Sequence, residues 1–178
     1  MISKRARTDD LFLRAKELGG DTMTGDKKAF NKNILIAVDD SDNSRRAVSY
    51  VAQLLGGNSE FKVTVLHVVP EVEEDYFATD SEKDAWLKQY KEKVDTMLEE
   101  YRQILLQGGF DEGQVAVRSP LRYCPSMAEC ILAERDELEY DTIVVGRQGL
   151  SRKEEFLFGS ISSKIVTHAK NCTVWVVE

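Results

Sequence analysis

Cysteine and histidine are scarce in this sequence of 178 residues, which contains three cysteines and two histidines. The cysteines are widely spaced, with no Cys-x-x-Cys pair and no Cys/His grouping at zinc-ligand spacing. A structural zinc site and a disulfide framework are therefore not indicated. We expect Cys124, Cys130 and Cys172 to be reduced and partly buried. We expect His67 to be a core residue within a strand and His168 to lie at a helix end, where a cation is favoured.

Long apolar runs are also absent. No stretch of about 18 apolar residues, the length needed to span a bilayer, occurs in the chain. The N-terminal segment MISKRARTDD is not followed by the apolar stretch of a secretory signal. The net charge of −7 disfavours nucleic-acid binding, which needs a basic surface to neutralise phosphates. We therefore expect a cytoplasmic protein that has neither a membrane nor a nucleic acid as its partner.

Several motifs of nucleotide-binding and catalytic proteins are missing. The chain has no GxxxxGK[ST], no GxGxxG after its first predicted strand and no GxSxG. The acidic pair Asp39 and Asp40 follows the first strand, as in phospho-receiver domains. Those domains also need an aspartate after the third strand, where this chain has Arg118-Ser119-Pro120. A phospho-receiver function is therefore disfavoured.

From residue 33 onward, apolar runs alternate with stretches whose apolar residues recur at helical spacing. Runs rich in branched residues predict strands over 33–38, 61–69, 114–118, 141–145 and 173–177. Helical spacing predicts helices over 44–55, 80–107, 126–137 and 160–169. Strands that alternate with helices predict an α/β fold, with a doubly wound, mainly parallel five-stranded sheet and helices on both of its faces.

Residues 1–32 differ from the rest of the chain in charge, because they hold eight basic and five acidic residues. Thr8, followed by two aspartates, predicts a helix start, and Gly19-Gly20 predicts its end. The sequence thus predicts two parts, an N-terminal helical extension and linker over 1–32 and an α/β domain over 33–178.

The segment after the fourth predicted strand, GRQGLSRKEEFLFGSISS, combines glycines, hydroxyls and positive charge. In doubly wound sheets, ligands bind beyond the carboxyl ends of the strands. Glycines permit close approach of the main chain, and a helix start near Ser160 presents N–H groups that suit a phosphate. The predicted phosphate-binding residues are Gly146, Arg147, Gly149, Gly159, Ser160 and Ser162. The same pattern also fits a glycine-rich loop and a serine-capped helix without any ligand.

Asp39 follows the first strand, where a carboxylate can accept hydrogen bonds from ribose hydroxyls. The alternative is structural. Asp39 or Asp40 would then hold the turn, while Ser41, Asp42 or Ser44 caps the next helix.

Five segments in this order, ILIAVDDS, LHVVP, TIVVGRQGLS, FLFGSISSKIVTHA and CTVWVV, resemble the universal stress protein family over residues 33–178. The most specific part is Gly-x2-Gly-x9-Gly-Ser, at Gly146, Gly149, Gly159 and Ser160, which in that family marks the ATP-binding members. The resemblance implies a Rossmann-like sheet with strand order 3-2-1-4-5. It also implies that Asp39 holds the ribose, that Val68 contacts adenine, that the glycines and Ser160 hold the phosphates, and that a homodimer forms through the edge strand 173–177.

Asp40 departs from the family, which commonly has a small residue there. Its extra negative charge would weaken triphosphate binding or recruit a divalent cation such as Mg²⁺. The resemblance implies a dimeric stress-response or regulatory protein, in which ATP sets conformation or the choice of an unidentified protein partner. We expect binding rather than enzymatic turnover, with slow hydrolysis left open. The alternative is a dimeric interaction scaffold of the same fold that binds no nucleotide.

Overall fold

The computed structural model describes residues 31–71, 77–147 and 159–178. The predicted N-terminal helix and Gly149 lie outside these residues. Regular elements follow one another in the order β1 (Asn33–Ala37), α1 (Asp42–Leu55), β2 (Lys62–Leu66), β3 (Val69–Pro70), α2 (Asp80–Gln107), β4 (Val115–Arg118), β5 (Leu121–Arg122), α3 (Met127–Glu137), β6 (Thr142–Gly146), α4 (Ser160–His168) and β7 (Thr173–Val177). A 3-10 turn, Glu112–Gln114, precedes β4.

Five of these strands form one parallel sheet in the order β4-β2-β1-β6-β7. When only these five strands are numbered in chain order, their order in the sheet is 3-2-1-4-5. This result confirms the predicted doubly wound α/β fold and its strand order. The chain builds one half of the sheet outward from β1, then returns to add β6 and β7 on the other side of β1. The boundary between β1 and β6 is therefore the point where strand order reverses and where a crevice forms at the carboxyl ends.

The sheet is buried on both faces, as the continuous apolar runs predict. Side chains alternate across β1, so Ile34 and Ile36 join one core layer and Leu35 and Ala37 join the other. The first layer packs under α1 and α2, and the second packs under α3 and α4. Among the described residues, no helix, not even the 28-residue α2, is apolar enough over its length to cross a bilayer.

The second predicted strand is interrupted in the structure. β2 ends at Leu66, and the chain resumes as β3, which pairs with β5 in a separate two-stranded parallel sheet. The Val69 N–H donates to the Pro120 carbonyl over 2.9 Å, and the Glu71 N–H donates to the Arg122 carbonyl over 3.1 Å. Pro120 has no N–H group, so the ladder between β2 and β4 cannot continue through it unchanged. A uniform strand over 61–69 was therefore a wrong prediction.

The expectation of three reduced thiols was also wrong for two of the cysteines. Cys124 and Cys130 form a disulfide with their Cα atoms 5.7 Å apart, while Cys172 is unpaired. Cys124 lies between β5 and α3, and Cys130 lies near the start of α3. The cysteine spacing alone did not predict this pairing.

Helix α3 also carries a fully buried carboxylate, Glu134. Its Oε1 accepts a hydrogen bond from the Arg122 Nε at 2.7 Å. Its Oε2 lies 3.2 Å from the Arg118 Nη2, an ion pair without hydrogen-bond geometry. Because breaking a buried pair leaves an uncompensated charge, this cluster attaches the segment that contains β5 firmly to α3.

Candidate functional site

A cavity of about 290 Å³ opens at the carboxyl end of the sheet, where strand order reverses. Its walls come from the ends of β1, β2 and β6 and from the beginnings of α3 and α4. Seven of the eight predicted site residues line it, namely Asp39, Val68, Gly146, Arg147, Gly159, Ser160 and Ser162. Gly149 lies outside the described residues. The structure thus brings these residues into one space, while their roles toward a ligand stay predictions.

The cavity lining has an apolar part and a polar part. Leu66, Val68 and Ile131 belong to the core layer under α3 and α4, and Met127 packs against it. The polar part comes from the turn after β1 and from the turns at Gly146 and Gly159. A ligand that suits this lining has a flat or apolar body and a charged or hydroxyl-rich end.

The turn after β1 holds the Asp39 carboxylate in place. Its Oδ1 accepts hydrogen bonds from the Ser41 hydroxyl at 2.5 Å and from the Ser44 hydroxyl at 2.7 Å. Ser41 is the N-cap of α1, and its hydroxyl accepts from the Ser44 N–H at 3.2 Å. The structure therefore assigns the cap to Ser41, and Asp39 both stabilises the turn and lines the cavity.

Tyr101 of α2 supports the same turn from beneath. Its hydroxyl donates to the Asp39 main-chain carbonyl over 2.8 Å, and the residue is only 2% exposed. Burial raises the pKa of Tyr101 to about 12. The helical spacing that predicts α2 gave no sign of this contact, because a helical periodicity does not identify the partner of a hydroxyl.

Gly146 ends β6 and lines the cavity, but a second contact also requires a glycine. A Cβ atom at this position would lie 2.8 Å from the Asn43 carbonyl carbon and 2.9 Å from the Asn43 Cβ. These distances are far below a van der Waals contact. The missing side chain therefore lets the first turn of α1 pack directly against the end of β6. The sequence predicted a phosphate contact or a ligand-free glycine-rich loop at this position, and it gave no sign of this contact between helix and strand.

The start of α4 is tied to the end of β6 through Arg147. The Arg147 carbonyl accepts from the Gly159 N–H at 2.8 Å and from the Ser162 hydroxyl at 2.7 Å. The buried Ser162 thus uses its hydroxyl proton to close this turn. The Arg147 guanidinium pairs with the Glu178 carboxylate, which offsets part of the positive charge expected near a ligand. Gly159, the N-cap of α4, supplies no capping side chain.

His67 is a cavity residue that the sequence analysis misplaced. It follows the end of β2, is half-buried and lines the cavity. Its Nδ1 lies 2.9 Å from the Val38 carbonyl, which can only accept, so Nδ1 carries the proton. Its Nε2 lies 3.2 Å from the Tyr90 hydroxyl. Burial raises the pKa of Tyr90 as well. The position of His67 directly before Val68 was the signal available in the sequence.

Comparisons with known proteins agree on one family. The model of the universal stress protein family matches residues 31–178. A protein of Staphylococcus haemolyticus, named as a member of that family, is 30% identical over 153 residues, which cover 83% of this chain and 84% of the relative. A Staphylococcus aureus protein of strain USA300, named in the same way, has the same identity and coverage.

Solved structures share the fold. A universal stress protein in complex with cAMP superposes with a TM-score of 0.61 and 24% identity, over 83% of this chain and 97% of the other. The universal stress protein of Archaeoglobus fulgidus in complex with dAMP has a TM-score of 0.53 and 19% identity, over 82% and 97%. At these identities the similarity establishes the architecture of the sheet and its helices.

Proposed function

The chain belongs to the universal stress protein family, and from this premise we propose that it binds ATP in the cavity, and that the bound nucleotide sets its conformation or its choice of partner. The observation that carries the proposal is the cavity itself, in which apolar side chains, the Asp39 carboxylate and the start of α4 share one space. The complexes of two structural relatives with cAMP and dAMP, both adenine nucleotides, support it.

The apolar part of the lining suits the adenine base. The cavity volume of about 290 Å³ lies at the lower limit of about 300–1,000 Å³ that is usual for small-molecule sites. This volume is adequate for a base and a sugar whose phosphates extend toward the open side. In this arrangement Val68, buried at the wall beyond β2, contacts the base.

The polar part of the lining suits the ribose and the phosphates. Two serine hydroxyls fix the orientation of the Asp39 carboxylate, which preorganises it to accept hydrogen bonds from ribose hydroxyls. The first N–H groups of α4 have no partners within the helix, and the helix dipole favours negative charge there. The residues of this first turn that line the cavity are Ser160, Ile161 and Ser162. Gly159, the N-cap, has no side chain that would block a phosphate from reaching these N–H groups.

A Mg²⁺ ion would be held mainly by the nucleotide phosphates and water, with the exposed Asp40 as an additional oxygen ligand. The ion would neutralise phosphate charge beside the two aspartates. We propose binding rather than turnover. A signalling role then requires that a protein partner bind the nucleotide-loaded and empty states with different affinities.

We further propose that two copies of the chain pair through β7. Among the described strands, β7 pairs only with β6, so its other side is an edge of the sheet. An apolar edge strand of sequence TVWVV favours pairing with another copy. The cytoplasmic location expected from the sequence stays a prediction.

The phosphate assignment is tested with Gly159→Val. A branched side chain at this N-cap would occupy the space through which the main chain must approach a phosphate, so we expect measurable ATP binding to be lost. Gly149→Val is expected to have the same effect. Gly113→Val is the matched control, because a Cβ at Gly113 meets no atom within 4 Å. Isothermal titration calorimetry with ATP is the measurement, and unchanged binding by Gly159→Val would disprove the assignment.

The choice between nucleotide binding and a nucleotide-free scaffold needs only the parent protein. We expect mass analysis of small molecules released from freshly purified protein to detect an adenine nucleotide. We also expect millimolar ATP to raise the melting temperature, since a ligand at 100 times its Kd stabilises the native state by about 2.7 kcal/mol. A protein that releases no nucleotide and gains no stability with ATP would instead be the scaffold.

A further inference from the structure

Part of the apolar wall of the cavity comes from two segments that are far apart in sequence. One is His67 and Val68, just beyond β2, and the other is Met127 and Ile131 of α3. The first segment is held by the neighbouring stretch 118–122 through three main-chain bonds. These run from the N–H groups of His67, Val69 and Glu71 to the carbonyls of Arg118, Pro120 and Arg122, at 3.0, 2.9 and 3.1 Å.

The Cys124–Cys130 disulfide joins this neighbouring stretch to α3. Cys124 follows β5 by two residues and precedes Ser126, the N-cap of α3, by two. Cys130 is buried on α3 between Met127 and Ile131, the two wall residues of that helix. The covalent link therefore connects α3 to the segment whose main-chain bonds hold His67 and Val68.

Stabilising the whole fold does not by itself account for this disulfide. The two cysteines are six residues apart, and a cross-link over so short a loop removes less entropy from the unfolded chain than one that joins distant segments. The ion pairs of Glu134 with Arg118 and Arg122 already attach the same stretch to α3. With the thiols reduced, these ion pairs remain, so we expect the fold to persist while the covalent link between Cys124 and α3 is lost.

We propose that Cys124 and Cys130 are a reversible redox pair, which hydroperoxides oxidise to the disulfide and thiols reduce again. The disulfide orders the apolar wall of the cavity and so strengthens nucleotide binding. The effect on the nucleotide rests on the proposed function; the redox chemistry does not. Half-buried Cys124 is the more accessible thiol, and it lies beside the N-terminus of α3, where a thiolate is stabilised.

The oxidation balances without any further reactant. The Cys124 thiolate attacks one oxygen of a hydroperoxide, the O–O bond breaks, and the alkoxide leaves and takes a proton, which gives Cys124 sulfenic acid and an alcohol. The Cys130 thiol then attacks the sulfenic sulfur. The S–S bond forms as the S–O bond breaks, and hydroxide leaves with the Cys130 proton as water. Two molecules of glutathione reverse the reaction and become glutathione disulfide.

The first test is a redox titration of the full chain carrying Cys172→Ser, so that only the pair contributes thiols. The protein is equilibrated at graded ratios of reduced to oxidised glutathione, trapped with a maleimide and weighed by mass spectrometry. We expect both thiols to appear together at an intermediate ratio, and hydroperoxide to restore the disulfide. A pair that stays oxidised in excess reduced glutathione, or that hydroperoxide does not re-form, overturns the proposal.

The second test compares ATP affinity in the two redox states by calorimetry. Because a preorganised wall lowers the cost of ordering on binding, we expect the oxidised protein to bind about three- to tenfold more tightly. Cys124→Ser and Cys124→Ala should match the reduced parent under both conditions. Cys172→Ser is the matched control and should respond to oxidation as the parent does.

The outcomes separate this proposal from the proposed function. If every form binds ATP with the same affinity, the proposed effect of the disulfide on the apolar wall is disproved, and the proposed nucleotide binding stands. If no form binds ATP, the proposed function fails, and amide hydrogen exchange then tests whether the disulfide orders the apolar wall. The amides of residues 118–124 should then exchange more slowly in the oxidised protein, and equal exchange in both states overturns the proposal.

Discussion

Single residues from distant elements hold the main chain at the end of β1. The Tyr101 hydroxyl donates to the Asp39 carbonyl, and the His67 ring donates to the Val38 carbonyl. His67 was predicted to be a core residue within a strand, and the sequence gave no prediction for the Tyr101 hydroxyl. Two consecutive carbonyls of the turn thus accept hydrogen bonds from residues outside it, which stabilise the turn.

The raised pKa of Tyr101 predicts a specific dependence of stability on pH. Tyr101 ionises near pH 12 in the folded protein but near pH 10 when unfolded. The contribution of the Tyr101 hydroxyl to the free energy of unfolding is complete below pH 10. It is then lost at about 1.4 kcal/mol per pH unit as the pH rises toward 12. We therefore expect the parent to lose stability above pH 10 more steeply than Tyr101→Phe, which cannot ionise there.

Urea unfolding of both proteins at pH 8, 10 and 11 measures this difference. At pH 8 the Phe variant should be less stable by about 0.5–1.5 kcal/mol, the usual net contribution of one hydrogen bond. This difference in the free energy of unfolding between the two proteins should be smaller at pH 11. A gap that stays constant over this range would show that Tyr101 does not titrate as proposed.

Among the elements, α4 differs from the other helices in how it begins. Ser41, Thr79 and Ser126 cap α1, α2 and α3, and each side chain accepts a hydrogen bond from a main-chain N–H of the first turn. The N-cap of α4 is Gly159, which has no side chain to do so. Of the four α-helices that the structure describes, the one that lines the polar part of the cavity is therefore the one without a side-chain cap. A phosphate at this position would take the place of that cap.

The contact between α1 and β6 yields a prediction about packing. Gly146→Ala would place a methyl group against the Asn43 main chain, where it cannot be accommodated without displacing α1. Overpacking of this kind costs about 1–3 kcal/mol. Urea denaturation should show this loss in the free energy of unfolding, whereas Gly113→Ala should change it by less than about 0.5 kcal/mol. Equal stabilities of the two variants would mean that the close contact is absent in solution.

Across the whole molecule, the two edges of the sheet differ in chemistry. β4 forms one edge, and it ends in Arg118, part of the charged cluster around Glu134. β7 forms the other edge and carries half-buried apolar side chains. The Trp175 ring meets the ring of Tyr50 edge-on, with centroids 6.2 Å apart, and Tyr50 is 48% exposed. Apolar surface thus continues from β7 onto α1, which supports the proposal that a second copy covers this edge.

Charge on β7 should separate the proposed dimer. We expect Trp175→Lys and Val176→Lys to be folded monomers, because an unpaired lysine cannot be buried in a sheet that continues across two chains. Leu121→Lys is the control, since Leu121 is 52% exposed and lies on β5, beside the opposite edge. Light scattering after size exclusion gives the mass, and circular dichroism verifies folding. Dimers in both β7 variants would place the interface elsewhere.

Local patterns in the sequence determined the order of the elements. Buried strands and amphipathic helices are short-range features, so the alternation predicted the α/β sheet, and the bounds of α2 and β7 agree with the prediction. The parallel sheet then explains why seven predicted residues share one cavity, since the carboxyl ends of parallel strands meet at one edge. The family resemblance supplied the strand order, which the structure confirms.

Tertiary structure alone decided the contacts between segments that lie far apart in the chain. The pairing of β3 with β5, the Tyr101 and His67 bonds to the turn and the packing of Asn43 on Gly146 all belong to this class. Each depends on how two elements approach in space. A periodicity identifies which face of an element is buried, but it carries no information about which atom of another element meets it.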